Sequence, residues 1–321
     1  MNKKRAWFSL SAVMLISLLG TAGIALPYPV LAPYFLNSPA NSLNQFMGID
    51  PKILLGIALA LYPLGILVGS SFIGALSDHY GRRPVLLTTL VGTTIGYLIT
   101  AYAVVVESYL IFIFARLVTG ICEGNIAIAR AMAVDLHPVI DRSKALSMVY
   151  ASVYGGWLLG PLAGGYLMLL GTEQVFIWAA LAIVVCFLVV LITIENNKLN
   201  PTGNFSIIRA ISRENSYRLL KHKEIRPIFI FYFIYALGVN TFYEFYPVWF
   251  VEIHQFSSDQ IAWITVLMTA TMIISSVSIT SGITRIFGYL ATLRSGVLML
   301  GILFITQPLA SLTTVYIYFI F

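Results

Sequence analysis

Charge is the scarcest commodity in this chain: Asp, Glu, Lys and Arg together make up 10% of its residues. Soluble domains carry about 25%, so too few ionic groups exist here to clothe a water-facing surface. Cysteine is nearly absent as well. Cys122 and Cys186 both fall within apolar stretches, which excludes a disulfide framework or a zinc spacing and leaves them as small packing residues. The four histidines, His79, His137, His222 and His254, stand in loops without metal-ligand company. No Gly-Lys-Ser/Thr phosphate loop appears, which argues against ATP-driven work by the chain itself. No paired nucleophile and base occurs at membrane depth, so nothing recommends an intramembrane enzyme.

What the chain has in excess is apolar sequence, 59% of its 321 residues, with a mean hydropathy of +0.89. A bilayer core takes roughly 20 apolar residues per helix. Nine such runs are predicted, at 7–33, 53–76, 85–105, 109–134, 145–170, 174–194, 227–252, 259–282 and 291–309. Because lipid cannot satisfy open backbone groups, each should be a helix, giving an all-α polytopic membrane protein. The N-terminal run is too long for a secretory signal and is followed at once by further spans. With the N-terminus cytoplasmic, all of the 19 basic residues except Lys52 and Arg116 fall on the inner side, as the positive-inside rule requires. Basic charge spread over short loops also offers no groove-facing patch for nucleic acid.

One long polar segment divides the chain. Residues 1–194 form an expected six-helix bundle, 195–226 a cytoplasmic linker, and 227–321 a second bundle of three spans and a partial fourth. The linker alternates apolar and basic residues from Phe205 to Leu220 at helical spacing, as a helix lying on anionic lipid would. Transporters are often built from two similar halves. Against a six-plus-six plan the second half is short, and the expectation is a C-terminally incomplete chain.

Between the second and third spans stands Gly74-Ala-Leu-Ser-Asp78-His-Tyr-Gly81-Arg82-Arg83-Pro84. As local chemistry this is a tight turn: Gly81 reverses the chain, Asp78 caps it, and Arg82 and Arg83 meet lipid phosphates. The combination closely resembles the loop signature of the major facilitator superfamily, Gly-x3-Asp-x2-Gly-Arg-Arg/Lys. Span four carries Arg116-Leu-Val-Thr-Gly120, similar to the Arg-bearing fourth helix of that superfamily. Span five carries Gly156-Trp-Leu-Leu-Gly160-Pro161-Leu-Ala-Gly164-Gly165, which resembles the fifth helix of its twelve-span drug:proton antiporters, the multidrug and tetracycline exporters. Pro29-Val30-Leu31 resembles the same branch. The resemblance implies two pseudo-symmetric six-helix bundles rocking about a central site. It also implies an inner-gate latch at Asp78 and Arg82, and a seal or pivot between the halves at the span-five glycines. Taken alone, Gly156, Gly160 and Gly164 are equally a face for ordinary close helix packing. The second half's equivalent loop is degraded, with Arg285 where the first half has Asp78.

Charges inside spans are costly and therefore candidates for function. Arg116, Glu123 and Arg130 recur every seven residues and should share one helix stripe, with Glu123 nearest the membrane centre and suited to proton exchange. Its alternative is a structural ion pair. Span seven offers Glu244 with Asn240 a turn earlier among Tyr232, Tyr235, Phe242, Tyr243 and Tyr246, a setting able to hold a cationic or amphipathic solute. The alternative there is an outer-leaflet residue of the aromatic belt. Span one has no acid between Trp7 and Phe35, unlike many drug exporters of this branch. The functional expectation is a secondary transporter, exporting a small molecule by proton antiport. The partners expected are that substrate and membrane lipid, with no nucleic acid, no metal and no cofactor beyond the proton gradient. A monomer in a bacterial inner membrane is expected. Proton-coupled uptake on the same fold and a non-transporting remnant stay open as alternatives.

Overall fold

The computed structural model describes residues 3–124, 126–194, 222–275 and 280–309, and among them every regular element is helical. The first span is interrupted. Helix α1 (Lys3–Ala25) and α2 (Tyr28–Asn37) meet at Leu26-Pro27. Pro27 has no N–H to donate, so the ladder resumes only when Val30 and Leu31 donate to its carbonyl. Helix α3 (Pro51–Tyr80) starts with Pro51 and an Asp50 cap whose carboxylate accepts from the Lys52 N–H at 2.8 Å. It stops at Gly81, whose φ of 99° lies in the left-handed region that only glycine enters cheaply. Helix α4 (Arg82–Val105) begins immediately.

The fourth expected span, 109–134, is two helices, α5 (Tyr109–Glu123) and α6 (Ile126–Val134), parted at Gly124. A straight helix would keep Arg116, Glu123 and Arg130 in one stripe. Arg130, on α6, has its guanidinium carbon 5.2 Å from the Tyr150 ring and lines one cavity together with Glu123. Helix α7 (Arg142–Leu167) carries Pro161 in its interior, and α8 (Thr172–Thr193) completes the first half. After the undescribed residues come α9 (Arg226–His254), α10 (Ser258–Ile274), α11 (Thr280–Phe287) and α12 (Tyr289–Thr306).

Among the described residues, seven spans are long and apolar enough to cross a bilayer, beginning with the joined α1–α2 and ending with α9. At the expected eighth and ninth spans the described helices, Ser258–Ile274 and Leu290–Thr306, are apolar but shorter. Residues 276–279, within the expected eighth span, lie outside the described residues, as do the linker helix expected at 205–220 and the final apolar run. The two halves share a joint: from Asp50 to Gly81 and from Ser257 to Gly288 the same separation links a capped helix start to a positive-φ glycine that opens the next helix.

Packing follows small residues. Helices α3 and α5, α1 and α7, and α4 with both α5 and α8 form the main contacts of the first half. Gly65 and Gly69 of α3 lie on Leu117 and Ile121 of α5, and reciprocally Gly120 and Gly124 lie on Tyr62 and Gly69. A methyl group at any of these would collide with backbone. Outward, the large apolar side chains are bare: Phe114 is 64% and Ile192 78% exposed. That surface suits acyl chains, not water. The second half docks through α10 on α7 and α9 on α2.

Candidate functional site between the halves

The α3–α5 glycine contact sets what surrounds the in-membrane charges. It holds the Tyr62 ring under Arg116, with the guanidinium carbon 3.9 Å from the ring centroid. Two turns on, the Tyr62 hydroxyl donates to Glu123 Oε2. Tyr97 from α4 donates to Glu123 Oε1 at 2.8 Å. Both oxygens of Glu123 are thereby held by phenols from two other helices. Arg116 and Glu123 are only 3% and 4% exposed, and Arg116 Nε and Nη1 have no hydrogen-bond partner.

Glu244 belongs to the same neighbourhood but to the other half. Its Oε1 accepts from the Tyr28 hydroxyl at 2.7 Å, and Tyr28 packs edge-on to Trp157 of α7 with centroids 5.4 Å apart. Two polar groups result: Glu123 with its two tyrosines and Arg116 inside the first half, and Tyr28 with Glu244, which joins the first half to the first helix of the second. Asn240 is outside both; its amide donates to Ala236 O in its own helix and is exposed. Tyr232 and Tyr235 are likewise exposed, whereas Tyr246 is buried against Thr265 and stacks on Phe242.

At one end of the bundle, Arg82 turns toward protein and not to lipid. Its Nε lies 2.8 Å from Asp135 Oδ2, and Nη2 reaches Oδ1 at 3.3 Å, a two-point contact. Asp78 lies 3.8 Å from Arg82 and is largely exposed. Arg83 donates to the Leu191 carbonyl at 2.9 Å, satisfying an open end of α8. Gly74 has open space around it. At the opposite end Lys52 pairs with Glu252 at 2.6 Å, α3 to α9, across the two halves.

The span-five glycines divide their work. Gly156, Gly160 and Gly164 press on Leu18, Ala22 and Leu26 of the first span, inside the first half, and Pro161 is buried beside them. Gly165 alone faces the second half, where an added Cβ would stand 2.5 Å from Ala262 Cβ and 2.8 Å from Ser258 O.

The sequence matches the Major Facilitator Superfamily over residues 6–321. The chain belongs to that superfamily. Among curated relatives, it is 29% identical over 227 residues to the class B tetracycline resistance protein of Escherichia coli, covering 70% of this chain and 54% of that one. It is 36% identical over 171 residues to the class C tetracycline resistance protein of Escherichia coli, covering 52% and 41%. The chain thus spans about half the length of these relatives. Among solved structures, the human organic anion transporter MFSD10 superposes with a TM-score of 0.64 at 21% identity, covering 87% of this chain and 72% of that one. This superfamily member is an all-helical integral membrane protein, and its resemblance to the drug:proton antiporters extends to curated relatives of that kind.

Tyr62, Tyr97, Tyr28 and Asp135 were not among the residues the sequence singled out. One signal pointed to Tyr62: paired Gly-x3-Gly steps at Gly65/Gly69 and Gly120/Gly124 forecast a close crossing that brings it onto Arg116. Tyr97, Tyr28 and Asp135 carry no such local mark.

Proposed function

We propose that this protein is a secondary transporter that exports an amphipathic small molecule by alternating access, in exchange for protons. One observation carries the reading: the Tyr28–Glu244 hydrogen bond ties the two halves together through an in-membrane carboxylate, beside a first half that buries a second carboxylate, Glu123. A carboxylate in a low-dielectric interior holds its charge only while partners hold it. Taking up a proton at Glu244 weakens what its carboxylate gains from Tyr28, and so weakens a tie between the halves. Substrate binding beside Tyr28, Trp157 and Glu244 competes for the same groups. Proton and substrate thereby bias one rocking equilibrium in opposite directions, which is what antiport requires.

The export direction draws support from the tetracycline resistance proteins among the relatives. In this reading the protein sits in a bacterial inner membrane with the Arg82 end cytoplasmic, works as a monomer, and draws on the proton gradient alone. Asp78, Arg82 and Asp135 latch the cytoplasmic side when the protein opens outward. The test is proton release from acid-loaded vesicles carrying the full-length protein, on addition of a panel of amphipathic drugs headed by tetracycline. The expected result is drug-dependent release that an uncoupler abolishes. Drug accumulation independent of the proton gradient would refute the antiport reading.

A further inference from the structure

Glu123 has a second environment besides its tyrosines. It lines a small cavity of about 30 Å³ inside the first half, walled by α1, α4, α6, α7 and α8. The apolar walls include Leu86, Leu90 and Val149, and the polar groups are Ser17, Thr21, Thr93, Glu123 and Arg130. The lining residues of α4 and α7 come from the ends nearest Arg82 and Arg142, so the pocket extends from Glu123 toward that end of the bundle. Arg130 is exposed, so the pocket meets the surface there.

Thr93 shows what the pocket holds. Its neighbours on α4 turn their hydroxyls back onto their own helix: Thr89 to Leu86 O, Thr94 to Leu90 O and Thr100 to Gly96 O. Thr93 does not. Its hydroxyl is fully buried and has no partner, a cost of about 1–3 kcal/mol unless water supplies the bond. A buried water needs two to four polar partners, and Thr93, Glu123, Ser17 and Thr21 offer them. One carboxylate and these hydroxyls fall short of the roughly six to eight oxygens a hard metal ion such as calcium takes.

We propose that this pocket is a water-filled proton route between Glu123 and the water at the Arg82 end, separate from the path the substrate takes between the halves. A hydronium at the Arg130 mouth passes a proton along hydrogen-bonded water past Thr93. Glu123 accepts it, its carboxylate becoming a carboxylic acid and the last donor a neutral water. The other titratable and charged groups facing Glu123 are Tyr62 from α3, Tyr97 from α4, Arg116 on its own helix and Arg130 from α6; α1 brings only hydroxyls to the pocket, and α7 and α8 only apolar side chains. The proposal rests on the coupling role given to Glu123 above.

The structure supplies a clean plug. Gly20 lines the cavity, and a Cβ added there meets nothing within 4 Å, so Gly20→Leu starts its side chain in open space and directs it into the route. The experiment follows the protonated-carboxyl infrared band of Glu123, identified by its loss in Glu123→Gln, in full-length protein in vesicles after a drop in pH on the Arg82 side. The band is expected to rise at least tenfold more slowly in Gly20→Leu, and a few-fold more slowly in Thr93→Val, than in the wild type. The Glu244 band, identified by its loss in Glu244→Gln, should rise equally in all three, which certifies the fold; should Gly20→Leu disturb it, Val153→Leu narrows the same cavity more gently. A Glu123 band that rises at the wild-type rate in a folded plugged variant overturns the route, as does one that does not respond to pH in the wild type. Proton release by the vesicles separates the two claims. If Glu123→Gln abolishes release while Gly20→Leu keeps it, coupling stands and the route falls. If Glu123→Gln releases protons normally, both fall.

Discussion

At the scale of single residues, the account turns on phenols that serve carboxylates. Tyr97 is fully buried and its hydroxyl has Glu123 as its partner. Tyr97→Phe leaves one carboxylate oxygen without that bond and is expected to cost about 1–3 kcal/mol, read as a lowered unfolding temperature in detergent. Tyr62 does two jobs, donating to Glu123 and lying beneath Arg116. Tyr62→Phe keeps the ring and should retain most of the Arg116 contact, whereas Tyr62→Leu loses both. Arg116→Lys is not conservative here, because a compact ammonium cannot lie flat on the ring as the planar guanidinium does. The charged members were legible in the sequence, since Arg116, Glu123 and Glu244 interrupt apolar runs. Their partners were not, because a tyrosine in a membrane helix is common and only the docking of another helix gives it a role.

Elements dock through glycine, and the same substitution should have opposite outcomes at different glycines. A Cβ at Gly69 collides with the Ile121 backbone and one at Gly164 with that of Leu26, while one at Gly56 meets nothing. Gly69→Ala and Gly164→Ala are therefore expected to destabilise by about 1–3 kcal/mol through forced separation of helices. Gly56→Ala should be neutral or stabilise by about 0.5–1 kcal/mol through better helix propensity; thermal unfolding of the three variants checks both signs. The Lys52–Glu252 pair joins α3 to α9 with both side chains partly in solvent, and exposed pairs contribute little. Such a tie can close one end of the molecule and still open in every cycle. A short, reducible bis-thiol cross-link between Lys52→Cys and Glu252→Cys should stop turnover, and reduction should restore it, while neither single-cysteine variant responds.

Over the whole molecule, most of the architecture could be read from periodicity and charge, because a bilayer imposes helices and the loop at Gly74–Arg83 has a distinctive pattern. Three features could not. The break between α5 and α6 hides in an apolar run, with Gly124 as its sign. The span-five glycines read equally as pivot or packing face, and only the partner decides: α1 for Gly156, Gly160 and Gly164, and α10 for Gly165. Arg82 looked like a lipid anchor because its partner Asp135 lies far along the chain, at the end of another helix.

The central claim, that two carboxylates on opposite halves couple protons to transport, is tested most directly in acid-loaded vesicles carrying full-length protein. Drug-induced proton release is compared among wild type, Glu123→Gln, Glu244→Gln and the double variant. The account predicts that each single change reduces release to below about a tenth, roughly 1.4 kcal/mol or more of lost coupling, and that the double change adds little further. Proton-driven transport that survives both substitutions together would contradict it.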